Sequence, residues 1–150
     1  MDTDSLARAA AAAMWADDRA TAAMGMTLDH VTHGAATMSM SVRDDMVNGH
    51  NICHGGFIFA LADSAFAFAC NSHNRISVAS GARIEFIRPA QLGDHLSAVA
   101  TQIHQGRRTG VYDVSVTNSD GGVVAVFRGN SATIGGELVT LDEQGEQQDA

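Results

Sequence analysis

The stretch NGHNICHGGFIFALADSAFAFAC, residues 48–70, decides how the rest of the chain is read. From Gly55 to Cys70 it is almost wholly apolar and holds four of the six phenylalanines, with a single charged residue, Asp63. A run this long and this rich in Ala and Phe predicts a helix over 55–70, apolar nearly all round and therefore surrounded by other structure. It is too short to span a bilayer, and Asp63 interrupts it. An ionised carboxylate is costly in such surroundings unless something pairs with it or uses it. Asp63 is thus either a helix carboxylate that reaches solvent or an arginine, or a working group.

The segments on either side say what surrounds the helix. After NSHNR at 71–75 the periodicity turns to strands over 76–88, 94–105, 109–118 and 123–134. Breaks fall at Pro89, Gly93–Asp94, the 107–110 turn and the Ser119–Gly122 turn, the last a strong hairpin signal. In VYDVSVTN, Tyr112, Val114 and Val116 share one face while Asp113, Ser115 and Thr117 share the other. That alternation marks antiparallel strands covered on one side. Upstream, 26–31 and 35–42 read as two further strands joined at His33–Gly34, and 43–54 as a polar loop. An Ala-rich helix is predicted over 4–23 with Thr3 or Asp4 as its cap. The fold class is α+β: a curved antiparallel sheet wrapped around one central apolar helix, with an extra N-terminal helix. Residues 1–136 read as one domain and 137–150 as an acidic, disordered tail.

A length of 150 residues suits one domain, and a net charge of −8 invites a reading about partners. Divided along the chain, it does not support one. The span 137–149 carries five acids and no base, and residues 21–136 hold eight acids against seven bases. The acidity lies at the ends, where it disfavours nucleic-acid or anionic-membrane binding. Two cysteines, Cys53 and Cys70, are too few for a disulfide framework and suit a reducing cytoplasm. The Ala-rich opening follows Asp2 and Asp4 and is only weakly apolar, so it reads as a helix and not a signal peptide.

Gly55 opens the predicted helix, where unpaired N–H donors and the positive end of the helix dipole suit an oxygen gaining negative charge. Glycine also lets a substrate approach the main chain closely. Asp63 lies eight residues on, about 12 Å along the same helix, too far to act with Gly55 on one carbonyl carbon. Two chains packed antiparallel across an axis would bring Gly55 of one beside Asp63 of the other, placing a site at a dimer interface. His50, Cys53 and His54 can each ligate zinc, but they crowd one loop without a second ligand pair at familiar spacing, and no metal is expected. Ser64 lacks a G-x-S-x-G setting. Arg107 and Arg108 with Thr109 form a turn that suits phosphates or simple solvation.

The segment from Asn48 to Ser72, with RIEFIRPAQLGD and GRRTGVYDVSVTNSDGGVVAVFRG further on, resembles the PaaI group of hotdog-fold thioesterases, named for phenylacetic acid degradation. The similarity spans roughly residues 25–134. It implies hydrolysis of acyl-coenzyme A thioesters, with phenylacetyl and hydroxyphenylacetyl groups favoured. Coenzyme A is then part of the substrate, and no separate cofactor is implied. By position Asp63 matches the catalytic carboxylate, and Gly55 the residue whose N–H polarises the thioester carbonyl. Asn48 and His54 match groups that position water and thioester. The resemblance, together with the Gly55-to-Asp63 spacing, also implies a homotetramer built as a dimer of dimers. Because the chain's core is nearly neutral, binding of coenzyme A phosphates should rely on local arginines, and Arg107 and Arg108 with Thr109 are assigned to them. Where some aromatic-specific relatives carry a hydroxyl one turn beyond the acid, this chain has Ala67, and Ser64 is the nearest substitute. Two alternatives stay open: a hydratase or dehydratase using His54 with Asp63 on an enoyl thioester, and a non-catalytic acyl-CoA sensor. Retention of Asp63 argues against the sensor.

Overall fold

The computed structural model describes residues 1–141. Its central element is helix α3, Gly55–Cys70, which coincides with the span predicted from the apolar run. For chain order, α1 covers Thr3–Asp17 and α2 Arg19–Ala23, followed by strands β1 (Thr27–Thr32) and β2 (Ala35–Ser41). After α3 come β3 (Ser77–Phe86), β4 (His95–Gln105), β5 (Thr109–Thr117) and β6 (Val123–Thr133). All six strands form one antiparallel sheet in the order β1-β2-β4-β5-β6-β3. The expected curved sheet around a central helix is what the chain forms.

Alternation fixes which face is covered. In β5, Tyr112, Val114 and Val116 are buried while Asp113, Ser115 and Thr117 are only partly so. Under α3 these residues join Met38, Met40, Leu96 and Ala98, and the helix contributes Leu61, Ala62, Ala65, Phe66, Phe68 and Ala69 to one core. Phe66 anchors it, with ring centroids 5.7 Å from Tyr112 and 5.9 Å from Phe127. Tyr112 keeps its phenol satisfied by donating to Gln105 Oε1 at 2.6 Å, as a buried hydroxyl must. The end of α3 is tied to the sheet by Asn71, whose Nδ2 donates to Ser77 O and whose Oδ1 accepts from Ser77 N. That junction sets where β3 begins.

Three local expectations are corrected. The N-cap of the first helix is Asp2, whose carboxylate accepts from Ser5 N at 2.7 Å, in place of Thr3 or Asp4. The continuous helix over 4–23 breaks at Asp18, which leaves helical geometry to cap α2 by accepting from Thr21 N. A chain of good helix formers stops there because Asp makes a better cap than helix interior. Third, the 43–54 loop is ordered by a 3₁₀ turn, Asp44–Met46, and by bridges pairing Val47 with Cys53 and Ile52 with Gln91. Of the tail assigned to 137–150, Leu138 and Val139 donate their N–H groups to Asn74 Oδ1; the part after residue 141 lies outside the described residues.

The contact beneath Phe66 is tight enough to test. A Cβ on Gly129 would lie 2.8 Å from Phe66 Cζ. Gly129→Ala is therefore expected to cost about 1–3 kcal/mol by overpacking, read as a lowered melting temperature. An unchanged melt would show that the ring has room to move.

Candidate active site

Helix α3 is covered unevenly. It packs mainly on β2, β4 and β5 and only lightly on β3 and β6. Gly56 and Phe59 are exposed, and with the part-buried Ala60, Asp63 and Ala67 they form a stripe at helical spacing of three and four, while Gly55, Phe57 and Ser64 are also part-buried. Asp63 sits on that stripe. Among the described residues it has neither an arginine partner nor a hydrogen bond, and half-burial against the sheet raises its pKa above the usual carboxylate range. The alternative of a carboxylate neutralised by arginine is not what the chain builds.

At the start of the helix, His54 is the N-cap. Its Nδ1 accepts from Gly56 N at 3.0 Å, and this bond assigns the neutral ring's proton to Nε2. Phe57 N is taken by His54 O, while Gly55 N has no partner among the described residues. That free donor faces a cavity of about 450 Å³ lined by Ile52, Cys53, Ile58, Phe86, Arg88 and Ala90. The exposed ring of Phe86 lies over Gly55, so a Cβ there would come within 2.9 Å of its Cζ. A side chain at position 55 would have to push this exposed ring aside.

Asn48 shapes the loop leading in. Its Oδ1 accepts from His50 N and Ile52 N, at 2.9 and 3.2 Å. Its carbonyl end is committed to the loop, and its amide N–H₂ is left to donate. His50, Cys53 and His54 do not converge: among the described residues no three His, Cys, Asp or Glu side chains could hold a metal ion. Burial raises the Cys53 thiol's pKa, the reverse of an activated nucleophile.

Arg107, Arg108 and Thr109 are exposed at the β4–β5 turn, at the far end of the sheet from Gly55. The ladder shows this: Phe86 pairs with Ala125 at one end of β6, while Ser77 pairs with Thr133 and Thr109 with Ala132 at the other. The length of β3 separates them by about 30 Å. One chain thus assembles Gly55, His54 and Asn48 at its helix start, holds Asp63 two turns away, and carries the arginine turn still further off. Sequence reasoning did not single out Phe86, Arg88 or Phe59. For Phe86 and Arg88 the usable signal was their place just before Pro89 at the end of a strand.

The edge strand is equally open. Every residue of β3 from Val78 to Phe86 is exposed except Ile84, and Phe86 and Ile87 are each 54% accessible. A free edge flanked by bare apolar side chains is a pairing surface. No described helix is long and apolar enough to cross a membrane.

Comparison with known proteins fits this geometry. The pattern of the thioesterase superfamily matches residues 50–125. The chain is 46% identical over 126 residues to the acyl-coenzyme A thioesterase PaaI of Escherichia coli, covering 84% of this chain and 90% of that one. The solved structure of E. coli PaaI, from the phenylacetic acid degradation operon, superposes with a TM-score of 0.89, covering 91% of this chain and 99% of that one at 44% identity. A Streptococcus mutans protein solved with acetyl CoA bound matches at a TM-score of 0.72 and 28% identity, covering 75% and 90% of the two chains. With an open helix N-terminus, a lone carboxylate on an apolar helix and these relatives, the chain belongs to the thioesterase superfamily, in the PaaI group of its hotdog-fold members.

Proposed function

We propose that the protein hydrolyses acyl-CoA thioesters with aromatic acyl groups, of phenylacetyl or hydroxyphenylacetyl type, as a homodimer-based assembly whose sites are shared between chains. The observation that carries the reading is the separation of two incomplete half-sites on α3. Gly55 offers an unpartnered N–H, and Asp63 an unpaired carboxylate about 12 Å along the helix. A two-fold partner added at the free β3 edge runs its helix antiparallel to this one and sets its Asp63 beside Gly55. The same operation carries the partner's Arg107–Thr109 turn from the far end of its sheet to the Gly55 end of this one, within reach of coenzyme A phosphates. Pairing of two such dimers gives the tetramer. A coenzyme A substrate and two free cysteines suit the cytoplasm.

In this reading the thioester carbonyl oxygen accepts from Gly55 N–H, a donor of the kind that contributes about 3 kcal/mol as charge develops. The partner's Asp63 takes a proton from a water held by the Asn48 amide. The water oxygen bonds to the acyl carbon, the C–S bond breaks, and the proton held by Asp63 passes to the departing sulfur, so coenzyme A leaves as the thiol and the carboxylate is regenerated. Attack by Asp63 itself to give a mixed anhydride is the competing route. The Nε2–H of His54 points outward as a donor, suited to orienting the thioester. A hydratase would need His54 as a base, yet one ring nitrogen is engaged by Gly56 N–H and the other is protonated.

Asp63→Asn is expected to lower kcat by at least about 100-fold, or ~2.7 kcal/mol of barrier, with KM little changed. The raised pKa of Asp63 moves the acid limb of the wild-type rate profile upward from where an ordinary aspartate would put it. The sign for stability follows from the same shift. A carboxyl whose folded pKa lies above its unfolded one destabilises the fold once pH exceeds the unfolded value. Asp63→Asn should therefore melt higher than wild type at neutral pH, and the gain should vanish at low pH. A variant with near wild-type kcat removes Asp63 from the mechanism.

Mixing inactive Gly55→Pro and Asp63→Ala chains should restore activity, because some mixed sites contain both intact groups. Proline is tolerated at the first helical position, so this variant loses the N–H without losing the helix. No recovery on mixing under exchange conditions rejects the shared site. Replacing Arg107 and Arg108 together with Ala should raise KM for acyl-CoA and leave kcat near its parent value, since phosphate contacts persist from ground state to transition state. A fall in kcat at unchanged KM rejects their assignment.

A further inference from the structure

Phe59 is the one aromatic ring of α3 that the fold leaves in the open. It is 36% accessible, against 1% each for Phe66 and Phe68. It lies on the uncovered stripe with Gly56, Ala60, Asp63 and Ala67. Its ring is not loose, because it packs edge-on against Phe127 of β6 at 5.4 Å and 66°. A held, exposed aromatic ring amid small residues is an anchor without its counterpart.

The shared-site reading above, on which this inference rests, identifies the counterpart by symmetry. If Gly55 of one helix faces Asp63 of the other and the reverse, each position i stands opposite 118 minus i, and only residue 59 faces itself. Gly56 and Asp63 of the stripe are centred half a residue away, between Phe59 and Ala60, about 0.75 Å along the helix. We propose that Phe59 lies on the two-fold axis of the dimer and packs against Phe59 of the partner subunit. The aromatic pair is the wall between the two active sites, holding each Asp63 about 6 Å from the axis along its helix. Gly56 and Ala60 beside it let the helices approach closely.

Only a residue on a two-fold axis can be joined to its own copy by a direct bond, which gives the test. Packed helices stand about 8–10 Å apart with Cα atoms about 2.3 Å off each axis. Facing Cα atoms on the axis therefore fall near the 4.4–6.8 Å span of a disulfide. Phe59→Cys should be converted by mild copper–phenanthroline oxidation almost completely into a covalent dimer that dithiothreitol reverses. Wild type, whose Cys53 and Cys70 are buried, and a Phe57→Cys control should stay single-chain on the same gel. Phe59→Asp, which sets two carboxylates on the axis, should raise the dimer dissociation constant at least ~100-fold in sedimentation while keeping its far-UV spectrum. Failure of Phe59→Cys to cross-link, or a Phe59→Asp variant as dimeric as its parent, overturns the placement. If activity still returns on mixing Gly55→Pro with Asp63→Ala, the shared site stands and only the axis falls. If neither experiment succeeds, both readings fall.

Discussion

The fold turns on the fact that α3 must bury nearly all its surface and yet cannot bury Asp63. Apolar side chains on most of the helix drive it into the concave sheet, while a lone carboxylate without a partner cannot follow them. The compromise is rotational. The helix lies over β2, β4 and β5 and turns one stripe away from them, toward the side where β6 and β3 extend past it. Half-burial remains, and the raised pKa of Asp63 is its electrostatic trace. Covering the helix completely would silence the acid, and exposing it completely would dissolve the core. The open stripe, the bare β3 edge and the perturbed carboxylate are therefore consequences of one constraint.

The helix start is governed by a second requirement, that backbone donors stay unpaired where an anion is to form. Most helices satisfy their first N–H groups with side chains or water. Here His54 satisfies one of them, on Gly56, and leaves the neighbouring Gly55 N–H free. The cap fixes the tautomer of the neutral imidazole, while the exposed Phe86 ring lies over Gly55 and would have to turn aside for any side chain there. A single histidine thus orders the helix end, beside the Gly55 N–H that the proposed mechanism uses as its oxyanion donor.

Much of this was legible in the sequence because the signals were strong and local. The 55–70 helix could be read to the residue, since an apolar run bounded by Gly55 and by NSHNR admits little slippage. The strands were legible to within two residues because inward and outward side chains alternate and turn residues separate them. The break at Asp18 was not, because helix propensity there is high on both sides and only the cap bond to Thr21 N decides. Nor was the singularity of Phe59. Four phenylalanines lie along α3, and which of them stays uncovered depends on the helix's rotation over the sheet, which no local pattern encodes. The distance between Gly55 and the Arg107 turn was likewise hidden, because it follows from strand register.

That register gives the arginine turn its meaning. Within one chain, Arg107 and Arg108 stand about 30 Å from the oxyanion donor, and a reading confined to one subunit would discard them. Antiparallel addition at β3 reverses the conclusion, because it exchanges the two ends of the sheet. Coenzyme A is itself divided: its thioester end needs a dry donor and a carboxylate, and its phosphate end needs exposed cations. In the proposed assembly the chain meets these demands at opposite ends of its sheet, with Asp63, the proposed base, on the helix face turned toward the partner subunit. A monomer with all parts adjacent would have to bring two arginines, a desolvated carboxylate and a free backbone N–H into one small pocket. The arginines would then pair with Asp63 and lower its pKa, weakening it as the proposed base. In the proposed dimer, dividing the site between chains keeps cation and base apart until substrate spans them.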